Sequence, residues 1–474
     1  MLVKLSTLFF LLTFTLLADT TIKDSIVKIY TVSKIPNYVL PWNTKISRSH
    51  GSGSIISGNR ILTNAHVVAD ETFIEVKRYG KTERYEAYVE YISHQADLAI
   101  LRVKDTTFFK GAKPLQFGKL PKIQQKVTVY GFPMGGSSLS VSTGIVSRIE
   151  HNNYAHSGES FLSIQIDAAV NPGNSGGPAL SNGRVVGVVM QQIKKSQNLG
   201  YLVPTEVVEH FLRDIKDGHY DGFANLGIGT QNMQNEALRS VYGMDKERSG
   251  ILINNICETS NANKKLKVGD VLLSIDGHKV ENDRSVEFAP KQFTSYAYYI
   301  DQKQMGESIK LKLLRDGKFI NVEVKLQNIA DEDLLVKTRE HDKMPRYFIY
   351  GGYVFTPLTR NLMRSSRSLP LDLRVAAGKW RTKEQKELVV LLRVLADKSN
   401  RGNHGAAMWQ VESINGKTFK DFDTFKKILK SEKSDYVILN GKDKEQLAIQ
   451  REDAIASQKR ILSRYSIKTL ESQE

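Results

Sequence analysis

Ser175 stands in Asn171-Pro172-Gly173-Asn174-Ser175-Gly176-Gly177-Pro178, between an apolar alternating run, Phe161 to Val170, and a second, Val185 to Met190. Two strand-like runs joined by so glycine-rich a loop predict a tight turn with few side chains around the serine. That suits a nucleophile, which needs an exposed hydroxyl and backbone N–H groups free to point at an oxyanion. Within Gly173-Asn174-Ser175 the N–H groups of Gly173 and Ser175 are the natural donors. Turn chemistry alone would also produce such a segment as a plain surface turn. Two upstream stretches weigh against that: Thr63-Asn64-Ala65-His66-Val67-Val68 and Ala96-Asp97-Leu98-Ala99-Ile100-Leu101. A serine hydroxyl is a poor nucleophile until a neighbouring base takes its proton, and that base needs a buried carboxylate to fix its tautomer. His66, Asp97 and Ser175 offer the three groups, in that chain order.

TNAHVV, DLAIL and GNSGGPAL, in this order and at these separations, resemble the trypsin-like serine proteases of the HtrA/Deg family. Three motifs agreeing make the match specific, where any one alone would be weak. The resemblance implies a mainly β chain: a chymotrypsin-like double β-barrel with the triad at its junction, followed by two PDZ domains. In digestive relatives the residue before the nucleophile is an aspartate that pairs with a newly cleaved N-terminus. Here it is the uncharged Asn174, so activation by that ion pair is closed. The position six before the nucleophile, an aspartate in trypsin, is Ala169, with Val170 next to it. The segment Asn198 to Pro204, with Leu199, Gly200 and Tyr201, corresponds to the pocket's other side. An uncharged pocket predicts small or medium aliphatic P1 residues such as Val, Ala or Leu. Gly136, Ser137 and Ser138, in the GFPMGG turn, form a loop expected near the site.

At 474 residues the chain suggests about three domains, and 41% hydrophobic with 25% charged residues is ordinary for globular protein. The formal charge of +16, from 67 Lys+Arg against 51 Asp+Glu, suits a solvated basic surface, with peripheral contact to anionic membranes as an option. No basic run carries interleaved aromatics, so nucleic acid is not an expected partner. Cys257 is the single cysteine, which excludes an intrachain disulfide. No cofactor is expected: metal-ligand spacings and phosphate-binding loops are missing, so ATP-driven unfolding is not built in.

In chain order, residues 1–18 hold Lys4 and then a nearly unbroken apolar run, read as a signal peptide rather than an arginine-rich transit peptide. Short alternating runs between turn residues place the protease domain at 21–218, closed by an amphipathic helix from Pro204 to Ile215. The loop Pro36-Asn37-Tyr38-Val39-Leu40-Pro41-Trp42 looks like the plant-type Deg branch, and by resemblance its aromatics serve a trimer interface. A first PDZ domain is expected over 224–330, with Asn225, Leu226, Gly227 and Ile228 as the loop that offers N–H groups to a peptide carboxylate. A second, divergent one is expected over 345–451, with Val354 where a glycine would belong, then a charged tail, 452–474. The resulting expectation is an ATP-independent serine endopeptidase that degrades unfolded or damaged exported proteins, most naturally in a periplasm. It would act as a homo-trimer or hexamer. The rival is a non-proteolytic chaperone or PDZ scaffold with a latent site.

Overall fold

The computed structural model describes residues 22–473, apart from 135, 137, 193–198, 329–332, 367, 368 and 443. The expected signal peptide, Ser137 and Asn198 lie outside the described residues. No described helix is long and apolar enough to cross a membrane. The described chain forms two compact units, one from residues 22–33 and 47–328, the other from 34–46 and 333–473.

In the first unit, β1 (Ile26–Pro36), β2 (Thr44–Ile56), β3 (Arg60–Thr63), β4 (Glu71–Arg78), β5 (Tyr85–Ser93) and β6 (Leu98–Val103) close a barrel in the order β1-β2-β3-β6-β5-β4. A second barrel follows: β7 (Lys126–Gly131), β8 (Ser140–Asn153), β9 (Ser160–Ile166), β10 (Pro178–Ser181), β11 (Arg184–Gln192) and β12 (Gly200–Pro204). Its order is β10-β11-β12-β9-β8-β7. Alternation explains β4, where Ile74 and Val76 turn into the first core. In β9 the alternation does not decide burial, since both faces are covered: Leu162, Ile164 and Ile166 lie in one cluster and Phe161 in another, with Ser163 and Gln165 buried between them.

That other cluster joins the barrels. Ile56, Leu62, Leu98 and Ile100 of the first meet Val188, Met190 and Tyr201 of the second. Val207, Val208 and Phe211 of the helix Thr205–Asp214 cover it. Each such side chain, taken from water, stabilises the junction by roughly 1.5–3 kcal/mol before entropy is counted. The first PDZ domain packs on the second barrel within the same unit, since Ile251, Leu272 and Leu311 share one cluster with Val146, Ile149 and Leu162. His151 of β8 reaches across to Thr294 and, through Nε2 at 2.9 Å, to Asp301.

The second unit is a seven-stranded sheet. Its domain extends past the expected end at 451. The helix Arg451–Arg464 buries Ala454, Ser457 and Ile461, and Ile349 N–H donates to the Leu470 carbonyl at 2.7 Å. So narrow a stripe in a charged stretch does not read as amphipathic. Tyr38 and Trp42 also spend their rings here, half-buried against this core, with Trp42 edge-on to Tyr347 at 5.8 Å.

Candidate active site

His66 sits in the single helical turn Ala65–Val68. Val67, beside it, packs so closely on β2 that a Cβ on Gly51 would lie 2.6 Å from its Cγ1. Asp97, on the β5–β6 turn, is 1% exposed and adopts φ +55°. Its carboxylate receives His66 Nδ1 at 2.7 Å on Oδ2 and the His66 backbone N–H at 2.9 Å on Oδ1, while Asn64 Nδ2 holds its carbonyl at 2.8 Å. Burial penalises the imidazolium, but the Asp97 charge and hydrogen bond outweigh it, so the His66 pKa is raised above the ordinary 6.5. With Nδ1 committed to Asp97, Nε2 is the nitrogen left to take a proton.

The serine lies on the loop between β9 and β10. Its glycines are forced by contact: a Cβ on Gly176 would meet Ser52 O at 2.1 Å, and one on Gly173, at φ +99°, would meet Phe132 O at 2.4 Å. Ser175 O accepts from Ser52 N at 2.8 Å, and Gly173 O from Ser52 Oγ at 2.7 Å. Asn174 is 1% exposed, and its N–H donates to Asn171 O at 3.0 Å. The N–H groups of Gly173 and Ser175 bond to no acceptor among the described residues. The Ser175 hydroxyl donates to Met190 O at 3.3 Å rather than to His66. The structure thus assembles the base and the carboxylate, with the serine hydroxyl turned aside from them.

Val170 and Gly200 touch, because a Cβ on Gly200 would lie 2.5 Å from Val170 Cγ2. Leu199 is half-buried and Ala169 exposed. Tyr201 is buried in the junction core, its hydroxyl bonded to Gln165 Oε1 at 3.2 Å. Sequence spacing did not reveal the pairing of His94 with His156, whose ring nitrogens lie 2.9 Å apart across 62 residues, with the His156 ring 6.2 Å from that of His66.

Family models agree with this layout. A trypsin-like peptidase domain matches residues 51–188, and PDZ domains match 224–326 and 336–474. Protease Do-like 4, mitochondrial, of Arabidopsis thaliana is 41% identical over 72% of this chain and 66% of its own length. Protease Do-like 2, chloroplastic, of the same plant is 35% identical over 95% of this chain and 75% of its own. The chain belongs to the Do-like, HtrA/Deg family of serine proteases. The serine protease DegP homolog of Plasmodium falciparum is also similar, at 30% identity over 83% of this chain and 57% of its own. In fold, the solved HtrA-type protease AlgW with decapeptide superposes with a TM-score of 0.51 at 22% identity, covering 65% of this chain and 97% of that one.

The two PDZ domains of this HtrA-type endopeptidase differ at their peptide edges. In the first, Asn225 is exposed and its Oδ1 accepts from Gly227 N at 2.7 Å, with Leu226 and Gly227 buried and Ile228 half-buried. The strand Ile228–Gln231 is the sheet's edge and pairs with Ile251–Ile256 alone. In the second, Tyr353–Pro357 carries the fully buried Val354 and is paired on both sides, by Val389–Val394 and by Phe348–Tyr350. The hairpin Phe348–Pro357 turns at Gly351 and Gly352, both at positive φ. The chain's own strand occupies the edge that a peptide would otherwise take.

Proposed function

We propose that the chain is an ATP-independent endopeptidase of protein quality control that cleaves unfolded or damaged polypeptide. The observation that carries this is the pairing of a His66–Asp97 base with two unengaged N–H groups beside Ser175. The Ser175 hydroxyl turns from Met190 to His66 and attacks the scissile carbonyl while Nε2 takes its proton. Gly173 and Ser175 N–H groups hold the oxyanion. The amine leaves with that proton, and water releases the acyl group by the same route. Val170 over Gly200 favours an aliphatic P1 such as Val or Ala.

The open edge at Ile228–Gln231 suits capture of a peptide end by strand addition. The closed edge of the second domain favours a role in assembly. Trimers or hexamers would place several open grooves round one chamber and hold a substrate by effective concentration. Light scattering should find a trimer or hexamer, and a monomer would remove this part. Residues 1–18 are proposed to carry the chain across a membrane. Fractionation should recover it from an enclosed compartment, a periplasm or, as in the relatives' names, an organelle; a cytosolic pool would contradict that.

Purified protein should degrade unfolded casein without ATP and Ser175→Ala should not, with cuts mainly after Val, Ala or Leu. Absence of cleavage under every activating condition would favour the chaperone or scaffold reading. Cuts mainly after Lys or Arg would overturn the pocket assignment alone.

A further inference from the structure

Lys28 lies on β1, far in sequence from the serine loop, and is only 5% exposed. Buried lysines are rare, because an ammonium loses its hydration unless something replaces it. Here Nζ donates to the Gly136 carbonyl at 3.1 Å and lies 5.4 Å and 5.9 Å from the ring centroids of Tyr30 and Phe132. Phe132 and Gly136 both belong to the segment after β7. Its Met134 N–H donates to the Pro172 carbonyl at 2.7 Å, and its Phe132 N–H to Ser52 Oγ at 2.8 Å. The Pro172–Gly173 peptide is trans, so its C=O and N–H point opposite ways. Whatever holds the Pro172 carbonyl toward Met134 therefore aims the Gly173 N–H away from Met134. A flip of that one peptide would put a carbonyl where a donor should be.

We infer that Lys28 is a positioning residue for the oxyanion site: it holds Phe132 in place so that Met134, two residues on, fixes the Pro172–Gly173 peptide in the donor-forward orientation. The inference rests on the reading of Gly173 N–H as an oxyanion donor. Burial, with Lys77 and Arg84 nearby, lowers the Lys28 pKa, so the ammonium sits here at a cost that the Gly136 carbonyl and the two rings offset. The hydroxyl of Ser52, bridging Phe132 N–H and Gly173 O, links the same two segments a second time.

The test compares wild type, Lys28→Met, Lys28→Arg and Gly173→Ala on an aliphatic peptide substrate, with thermal melting to confirm folding and Lys28→Gln in reserve if the methionine variant does not fold. Losing a donor completely costs about 10²–10³-fold in kcat, so misaiming it predicts a loss of roughly 10–100-fold in Lys28→Met. KM should stay within about twofold, since substrate binding does not use that donor. Affinity for an aliphatic peptidyl boronate, which forms a tetrahedral adduct on the serine, should fall with kcat. Lys28→Arg, which keeps charge and reach, should recover most of the rate. A normal kcat and boronate affinity in folded Lys28→Met or Lys28→Gln, alongside a large loss in Gly173→Ala, overturns the role of Lys28 alone. Because Gly173→Ala keeps its N–H, the donor itself is tested by its amide resonance in wild type: a Gly173 amide unmoved when the boronate adduct forms overturns the donor assignment and this inference with it.

Discussion

The two barrels supply the halves of the candidate active site by different physical means. In the first, side chains do the fixing: the Asp97 carboxylate binds both His66 Nδ1 and the His66 backbone N–H. In the second, backbone geometry fixes the serine loop, with Gly173 and Gly176 admitted to spaces that reject a Cβ. The first half stands assembled while the second keeps a freedom, since the Ser175 hydroxyl points at Met190. The contacts that brace the serine loop, from Ser52 and, through Phe132, from Lys28, come from the first barrel.

Breaking the side-chain half should have the largest effect. Asp97→Asn is expected to fold and to lose turnover by about 10⁴-fold, because His66 would then hold the wrong tautomer. Single-turnover kinetics on a peptide ester would measure it, and a near-normal rate would make another carboxylate the partner. Breaking the backbone half should cost less. Gly173→Ala puts a Cβ against Phe132 O and strains a left-handed residue, so kcat should fall by about 10²–10³-fold with little change in KM. Equal losses in the two variants would dissolve the distinction between the halves.

The third prediction is one of pH and is smaller. His66 acts as a base only when neutral, and its pKa is raised above 6.5, so kcat/KM should climb with pH through a midpoint above 6.5. Removing the Asp97 charge should move the midpoint of the residual rate toward acid. A midpoint unmoved by Asp97→Asn would mean that the limb reports a different group.

How much of this was legible in the sequence follows the same division. The candidate triad residues stand out because each sits in a local motif, and the alternating runs match both barrels. The bracing contacts do not, since Ser52 meets Gly173 across 121 residues and Lys28 meets Gly136 across 108. Nothing local marks Lys28 as more than a strand lysine. In the second PDZ domain Val354 signalled that the carboxylate loop was altered. That Phe348–Tyr350 folds back over the edge was hidden, because Gly351-Gly352 reads equally as an open loop or a hairpin turn. For Tyr38 and Trp42 the packing on this core was equally hidden, since sequence shows aromatic side chains without showing what covers them.

The most direct test of the central claim is covalent labelling of the native protein with a fluorophosphonate, followed by mass spectrometry of its peptides. The account predicts a single adduct on Ser175 that forms in wild type and is lost in His66→Ala. No adduct under conditions where the protein is folded, or label on another serine with Ser175 unmodified, would contradict it.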